Sequence, residues 1–349
     1  WARAASLVPG LANILTQTPV LSDLVKTVGG ISTQRRMPPF ATQTFTAWFH
    51  ARPPKHCGGP KVLLWPDTFN NYFFPETAVA AVEVLEACGF HVTIPQRALC
   101  CGRPLYDFGM LDLAQSMWRQ ILDTLHDDIE AGTPIVGLEP SCVAAFRDEL
   151  LQLNPNLEDA KRLSSHMFTL SEFLDAQAPD IQLPTLHRPA IVHGHCHQKA
   201  VMGFQAETTI LKRVGLEAKI LDSGCCGMAG SFGFQPGDHY DVSLKVGEMV
   251  LLPAVRHASK ETLVMADGFS CREQIAQTTD RQGLHLAQVL AMAIRYGSDG
   301  IQGSFPERHD VTSPAFHRGL SSREVKLLWA VGAAAVGGLL LKRFIQKVR

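Results

Sequence analysis

The chain has 349 residues, of which 46% are hydrophobic and 19% are charged, and its formal net charge is −1 at pH 7. This length is enough for two hydrophobic cores. The near-neutral charge gives no electrostatic basis for binding a polyanion, so we predict no nucleic-acid partner. The first residue is Trp1 rather than Met, which leaves open that the sequence is a piece of a longer protein.

Residues 1–60 show no sustained hydrophobic period. Prolines alternate there with short apolar runs, as in Met37-Pro38-Pro39-Phe40. Two interpretations remain open: short helices and extended chain that pack on a neighbouring part of the protein, or a plain linker. We define residues 1–60 as the N-terminal connector.

Residues 61–180 are predicted to form the first of two similar halves. The apolar runs over 62–65 and 90–94 are typical of buried strands. Between them, a proline at position 75 and a glycine at position 89 indicate the start and the end of a helix. The half therefore begins with a strand, a helix and a second strand.

Further along the first half, an amphipathic helix is expected over 111–131 and a third strand over 134–138. The apolar face of that helix is expected to contain Leu113, Met117, Ile121 and Leu125. Residues 150–188 look polar and irregular, with one short helix near 171–174.

Residues 181–296 repeat this order of elements and form the second half. Its strands are expected over 190–192, 218–221 and 262–266, and its helices over 206–214 and 240–252. Strands that alternate with helices favour parallel sheets. We therefore predict an α/β fold with two pseudo-repeated, Rossmann-like halves, each built on an open parallel sheet.

Residues 297–349 are predicted to be a flexible linker followed by an apolar C-terminal helix. The uncharged run from Leu327 to Leu341 has 15 residues and is flanked by basic residues. It falls short of the ~20 residues that span a bilayer. Two interpretations remain open: a helix that associates with a membrane, or a helix that docks on a partner.

Seven of the nine cysteines fall at matched positions in the two halves. Thr68 stands where the first half would match Cys196. An odd number of cysteines, two pairs of which are adjacent, argues against a disulfide framework and for a metal or redox role in a reducing compartment. The matched cysteines are Cys100, Cys101 and Cys142 in the first half, and Cys196, Cys225, Cys226 and Cys271 in the second.

Each matched cysteine follows the carboxyl end of a predicted strand, where open parallel sheets bind ligands. Thiolates suit iron–sulfur clusters, zinc and copper(I), and a cluster needs several thiolates that converge from different loops. Gly224 and Gly227 are expected to let the backbone turn around the adjacent sulfurs. The predicted metal ligands are Cys196, Cys225, Cys226 and Cys271.

The first half has an incomplete set, Cys100, Cys101 and Cys142. These three cysteines belong to a second metal site, to a site shared between the halves, or to a former site that no longer binds metal. The sequence leaves the three alternatives open.

Three histidines alternate around Cys196, and in an extended segment they would share one face. His195 and His197 flank the cysteine and are the candidates for metal binding or proton transfer. The alternative is that each is satisfied by ordinary hydrogen bonds in a loop. No catalytic residue is predicted.

Two stretches with the order Cys, about thirty residues, Cys-Cys-Gly and a later Cys resemble the cysteine-rich CCG domain. That domain occurs in the heterodisulfide reductase B subunit, the glycolate oxidase iron–sulfur subunit and the anaerobic glycerol-3-phosphate dehydrogenase C subunit. The resemblance covers about residues 61–295. The amino-acid sequence is most similar to the carboxyl-terminal part of FAD-linked D-lactate and D-2-hydroxyglutarate dehydrogenases. The stretches that carry this similarity are Trp65-Pro66-Asp67-Thr68-Phe69, Cys100-Cys101-Gly102-Arg103-Pro104, His193-Gly194-His195-Cys196-His197, Gly224-Cys225-Cys226-Gly227 and Gly268-Phe269-Ser270-Cys271.

The resemblance implies an iron–sulfur cluster, of the 4Fe–4S type, in an electron-transfer component of an oxidoreductase. It implies a flavoprotein that acts on a 2-hydroxy acid (D-lactate, glycolate or D-2-hydroxyglutarate), with FAD on a partner chain or a missing domain. Electrons would pass towards a membrane acceptor, and the chain would be cytoplasmic. Attachment to the inner face of the membrane through Leu327 to Leu341 is the first of the two interpretations of the apolar run given above. The sequence departs from the full pattern, which ends in Cys-x-x-Cys, because Glu139 and Gly268 occupy the outer positions.

Two other classes of function remain open. The first is an interaction domain that is stabilised by zinc or thiols and has no redox activity, although the tight Cys-x-x-Cys hairpins of structural zinc sites are absent from the sequence. The second is thiol–disulfide exchange at Cys100-Cys101 or Cys225-Cys226.

Overall fold

A computed structural model of the chain describes residues 2–310, in which seven strands form two parallel sheets. The first sheet has the order β2-β1-β3-β4 and the second the order β6-β5-β7. The strands are β1 (Lys61–Trp65), β2 (His91–Thr93), β3 (Ile135–Gly137), β4 (Met167–Thr169), β5 (Pro189–Val192), β6 (Glu217–Ile220) and β7 (Leu263–Met265).

The two sheets repeat one arrangement. β1 pairs in parallel with β2 and β3, and β5 pairs in parallel with β6 and β7. β4 extends the first sheet by one strand. The predicted α/β class with two open parallel sheets is confirmed, whereas the predicted domain boundaries stay a prediction.

Helices precede the first sheet and connect the strands of both sheets. A π-helical turn (Gln198–Met202) and a short 3₁₀ turn (Phe232–Phe234) lie in the second half. The α-helices are α1 (Ala2–Ala5), α2 (Pro9–Gln17), α3 (Pro19–Val28), α4 (Phe45–Ala51), α5 (Thr68–Tyr72), α6 (Pro75–Ala87), α7 (Arg103–Asp107), α8 (Leu111–Thr124), α9 (His126–Glu130), α10 (Pro140–Arg147), α11 (Glu149–Leu153), α12 (Glu158–His166), α13 (Leu170–Gln177), α14 (Gln205–Val214), α15 (Asp238–Glu248), α16 (Leu251–His257), α17 (Phe269–Thr278), α18 (Leu286–Tyr296) and α19 (Glu307–Asp310).

The amphipathic helix expected over 111–131 was only partly right. It is divided into α8 and α9, and Leu113 at its start is 57% exposed. Ile121 and Leu125 are buried and Met117 packs against the core, as predicted, and Trp118 and Ala114 widen this buried face.

The expectation for 150–188 was only partly right: the short helix near 171–174 is present as α13, but the chain before it is not irregular. The chain there forms α11, α12, β4 and α13. The sequence does carry a start signal for α13, because Thr169 and Glu172 form a capping box. Leu163 and Phe173 are almost fully buried, so the charged residues that surround them lie on the outer faces of amphipathic helices.

The N-terminal connector packs on the second half and is not a plain linker. Arg35 is 1% exposed, and its guanidinium donates hydrogen bonds to the Gly233 carbonyl and to Ser243 Oγ. The backbone N–H of Ser32 donates to the Phe234 carbonyl. The connector therefore reaches the segment that follows the second Cys-Cys-Gly sequence.

One hydrophobic cluster contains side chains from both sheets, including Leu64 of β1 and Val192 of β5. Within it α18 of the second half packs against α6 of the first half. The two sheets therefore share a core, which fixes how their edges meet.

The apolar run from Leu327 to Leu341 and the predicted C-terminal helix lie outside the described residues. Across residues 2–310, no helix combines the length and the apolar composition that crossing a bilayer requires.

The shared core predicts that truncating Leu290, which is fully buried in α18, destabilises the protein. We expect Leu290→Ala to lower the free energy of unfolding by about 3 kcal/mol, because it removes buried methyl groups and leaves a cavity. Leu113→Ala, the same change on the exposed side of α8, is the matched control and should cost less than about 0.5 kcal/mol. Urea denaturation measures both, and equal losses would contradict the shared core.

Candidate metal centre

Cysteines from both halves line one cavity of about 690 Å³. The structure therefore brings the two predicted sets together. Those on its wall are Cys100, Cys101 and Cys142 of the first half and Cys196, Cys225 and Cys226 of the second. Cys271, the remaining member of the second set, is 1% exposed.

The matched cysteines lie past the carboxyl ends of strands, as the sequence predicts. Cys100 and Cys101 follow β2, whereas Cys225 and Cys226 follow β6. Cys142 and Cys271 each occupy the third position of a helix, α10 after β3 and α17 after β7. The repeat thus places equivalent sulfurs on equivalent loops of the two sheets.

The glycine of each Cys-Cys-Gly sequence has a left-handed backbone, with φ of 80° at Gly102 and 95° at Gly227. A Cβ atom at Gly227 would also lie 2.1 Å from the Ser243 carbonyl oxygen. Glycine is required there because it alone combines this φ with such a close approach. The prediction for Gly224 was wrong, since a Cβ atom there would meet nothing within 4 Å.

Two cysteines of the second set, Cys225 and Cys271, lie beside groups that favour thiolates, whereas hydrogen bonds with Cys225 raise the pKa values of Cys196 and Cys226. The Gly227 N–H donates to Cys225 Sγ at 3.3 Å. The pKa of Cys225 is lowered, first by hydrogen bonds from Cys196 and Cys226 and then by the backbone N–H groups of Gly227 and Ala229. The turn therefore stabilises negative charge on this sulfur.

Cys271 lies in a comparable environment. The pKa of its thiol is lowered, first by a hydrogen bond with Cys226 and then by the imidazoles of His193 and His195. His193 is itself held by a 2.7 Å hydrogen bond between its Nδ1 and Ser223 Oγ. His193 is not among the candidate residues from the sequence, although its alternation with His195 is a pattern that indicates a position near the cysteines.

The first set has acidic neighbours instead. The sulfurs of Cys101 and Cys142 are 3.0 Å apart. A hydrogen bond with Cys101 lowers the pKa of Cys142, but burial and the carboxyl groups of Asp67 and Glu139 raise it to about 11. Burial, followed by the charge of Glu139, raises the pKa of Asp67 itself to about 6. The first set therefore favours neutral thiols.

The segment that carries the three alternating histidines is not extended throughout, although the ring centroids of His195 and His197 are 5.2 Å apart. A helical turn begins at Cys196, immediately after His195. His195 Nδ1 accepts a hydrogen bond from the His197 backbone N–H at 3.2 Å. His197 Nε2 lies 3.1 Å from the guanidinium of Arg103, which is always a donor. Burial, followed by Arg103, lowers the pKa of His197 to about 4.

The positions that depart from the full CCG pattern have structural roles. Thr68 is hydrogen-bonded to Cys100. One carboxylate oxygen of Glu139 accepts from the backbone N–H and the hydroxyl of Ser141, and the other accepts from the Phe269 N–H at 2.8 Å. Gly268 leaves room for the ring of His195.

Aromatic and charged residues to which the sequence analysis gave no role in joining the halves also lie on the cavity wall. Phe69 and Phe269 stack across the two halves, with ring centroids 3.9 Å apart. Arg103 reaches from α7 to His197 of the second half and also pairs with Asp107 and Glu149. These contacts depend on how the halves pack, which local sequence patterns do not report.

Residues 67–147 match the family of the cysteine-rich domain, CCG. This part of the chain is similar to a CCG cysteine-rich domain. The resemblance predicted from the sequence is thereby confirmed at the level of this domain, whereas the closer resemblance to FAD-linked dehydrogenases stays a prediction.

Several known proteins are similar to more of the chain than this domain. The chain is 27% identical over 294 residues to the C subunit of the anaerobic glycerol-3-phosphate dehydrogenase of Escherichia coli (strain K12), and the match covers 81% of this chain and 72% of that protein. It is 29% identical over 245 residues to lactate utilization protein A of Geobacillus kaustophilus, covering 66% of this chain and 98% of the relative. The corresponding protein of Bacillus subtilis is 27% identical over 246 residues, covering 66% of this chain and 98% of the relative.

The geometry of the second turn predicts a difference between its two glycines. We expect Gly227→Ala to lower the free energy of unfolding by about 3 kcal/mol, because a methyl group there meets the Ser243 carbonyl in a left-handed backbone. Gly224→Ala, the matched control, should change it by less than about 0.5 kcal/mol. Urea denaturation compares the two variants, and an equal effect would show that the turn is not built as described.

Proposed function

We propose that the chain holds an iron–sulfur cluster through Cys196, Cys225, Cys226 and Cys271 and works as an electron-transfer component of an oxidoreductase. The difference in charge between the two sets carries this proposal. Backbone N–H groups lie beside sulfurs of both sets. The sets differ because the imidazoles of His193 and His195 lie near Cys271, whereas the carboxyl groups of Asp67 and Glu139 lie near Cys142. A site that binds positively charged metal through thiolates needs an environment like that of the second set, in which nearby groups stabilise negative charge on sulfur.

The residues present fit such a group. The donors are soft sulfurs from three separate loops, which is the arrangement that clusters use. The Gly227 N–H already points at a sulfur, at 3.3 Å from Cys225. The cavity of about 690 Å³ has room for a cluster beside the thiols.

The bound cluster would take up and release single electrons. The chain's own residues hold it and control its surroundings. Cys226 and Cys271, exposed by 3% and 1%, keep their sulfurs away from bulk water. The backbone of the Cys-Cys-Gly turn donates to sulfur, which stabilises the more negative state.

The partner in this proposal is a flavoprotein dehydrogenase that acts on a 2-hydroxy acid and carries FAD on another chain or domain. Two relatives support a dehydrogenase component, since one is a subunit of an anaerobic glycerol-3-phosphate dehydrogenase and the other is a lactate utilization protein. We propose a 4Fe–4S cluster and an acceptor in the membrane, with this chain on the cytoplasmic side.

Metal analysis tests the cluster. On anaerobically purified protein we expect about four iron and four sulfide per chain, together with absorbance that dithionite bleaches reversibly. Cys225→Ser and Cys226→Ser should each lose most of the iron. Cys57→Ser is the control, because Cys57 is exposed and lies outside both sets. Zinc without sulfide would replace the proposal with a structural zinc site.

The acidic surroundings of the first set lead to a separate prediction. Because Asp67 and Glu139 disfavour a thiolate at Cys142, we expect Cys142→Ser to leave iron and sulfide per chain unchanged. The same assay on Cys271→Ser, the equivalent position in α17, should show a loss. Loss of about half the iron in Cys142→Ser would show that the first set binds metal as well.

A further inference from the structure

Two sulfurs of the first set lie in direct contact. Cys101 Sγ and Cys142 Sγ are 3.0 Å apart, although the two residues are 41 positions apart in the chain. Each residue is 5% exposed, and both line the cavity of about 690 Å³. Atoms that a protein holds about 3–3.5 Å apart are close enough to react. A disulfide bond is about 2.05 Å long, so the two sulfurs need to approach by only about 1 Å to form one.

Each of these sulfurs is held by a buried part of the fold. The Cys101 carbonyl accepts a 2.8 Å hydrogen bond from Trp118 Nε1, and this indole is 1% exposed. Cys142 lies in the first turn of α10, which Glu139 caps through the backbone N–H and the hydroxyl of Ser141. Little conformational freedom is therefore left to lose when the sulfurs join, and this favours a bond between them over a bond to an outside thiol.

The two thiols are neutral, which allows their sulfurs to touch. A hydrogen bond with Cys100 lowers the pKa of Cys101, but a hydrogen bond with Cys142 and burial raise it well above its usual range. A hydrogen bond with Cys101 lowers the pKa of Cys142, but burial and nearby carboxyl groups raise it to about 11. The thiolate that begins disulfide exchange is therefore scarce at neutral pH, and we expect the pair to close slowly.

Other pairs of cysteines are less suited to a disulfide. A bond between the neighbours Cys100 and Cys101 would close a small ring and strain the peptide bond between them. Cys142 comes from a different element and has no such restriction. The equivalent pair of the second half, Cys226 and Cys271, supplies metal ligands in the function proposed above. The pair in the first set is therefore the one that is available for thiol chemistry.

We propose that Cys101 and Cys142 form a reversible dithiol–disulfide couple, a two-electron site beside the one-electron cluster of the second set. Its co-reactant is a small disulfide that enters the cavity. One protein sulfur, as its thiolate, attacks a sulfur of this reagent and breaks the reagent's S–S bond. The other protein sulfur then attacks the first, forms the bond between Cys101 and Cys142 and releases the reduced reagent. Two electrons pass to the reagent, and the two thiol protons of the protein end on its sulfurs.

The test uses the full chain, purified anaerobically with its metal and equilibrated with mixtures of glutathione and glutathione disulfide that set the potential. Acid stops the exchange, a maleimide labels the free thiols of the denatured chain, and mass spectrometry identifies the peptides. We expect the labels on Cys101 and Cys142 to disappear together in one two-electron transition, while a peptide joined by the Cys101–Cys142 bond appears. Cys88, which lies outside the cavity lining, should stay labelled, and iron per chain should stay constant.

Two variants of the first set locate the bond. Cys142→Ala is expected to leave Cys101 labelled across the whole titration, because the sulfur in contact with it is gone. Cys100→Ala is the matched control. It removes the other thiol beside Cys101 and should leave the transition and its midpoint unchanged. A mixed disulfide with glutathione has its own mass, so the peptide map distinguishes it from a bond within the chain.

Labels on Cys101 and Cys142 that persist in the most oxidising sample would overturn the proposal, and so would a bond between Cys100 and Cys101. Loss of iron from Cys142→Ala would also overturn it, because the first set would then be a metal site. A wild-type chain that lacks iron and sulfide but still forms the Cys101–Cys142 bond would overturn the function proposed above and support this couple. The wild-type peptide map decides the matter even where a variant does not fold.

Discussion

A single buried carboxylate, that of Glu139, holds the two halves of the site in register. It is 2% exposed, and its two oxygens accept hydrogen bonds at the N-termini of two equivalent helices, from Ser141 in α10 and Phe269 in α17. Negative charge is favourable at both places, because each helix N-terminus presents unpaired N–H groups and a partial positive charge. Since Cys142 and Cys271 lie in the first turns of these helices, Glu139 fixes the distance between the two sets.

The same carboxylate makes the two sets chemically different. Glu139 and Asp67 lie near Cys142 and raise its pKa, whereas the equivalent of Glu139 in the second half is a glycine. The backbone repeat is close, down to the left-handed glycines at 102 and 227, so the difference arises from a few side chains. The first half therefore supplies the contact that aligns α10 and α17, and the second half supplies the environment that favours a thiolate at Cys225 and Cys271.

The alternation of strands and helices along the chain and the place of each matched cysteine after a strand could be predicted from the sequence, because apolar runs mark buried strands and parallel sheets gather their loops at one edge. The strand β4 and the order of strands within each sheet were not predicted. The interface between the two halves could not be predicted from the sequence. The stacking of Phe69 on Phe269 and the reach of Arg103 to His197 join residues far apart in the chain, and no local pattern reports such contacts. The prediction for 150–188 was incomplete for a different reason. The many charged residues there obscure the spacing of the buried residues Leu163 and Phe173.

The histidines around Cys196 show how local hydrogen bonds decide chemistry that residue type leaves open. Two histidines beside a cysteine suggest extra metal ligands, but each has a lone pair already engaged, His195 by a backbone N–H and His197 by Arg103. Neutral imidazole has only one such lone pair. For His197, whose pKa is lowered to about 4, the lone pair at Nε2 faces Arg103, so a local contact and not the residue type decides what the ring can bind.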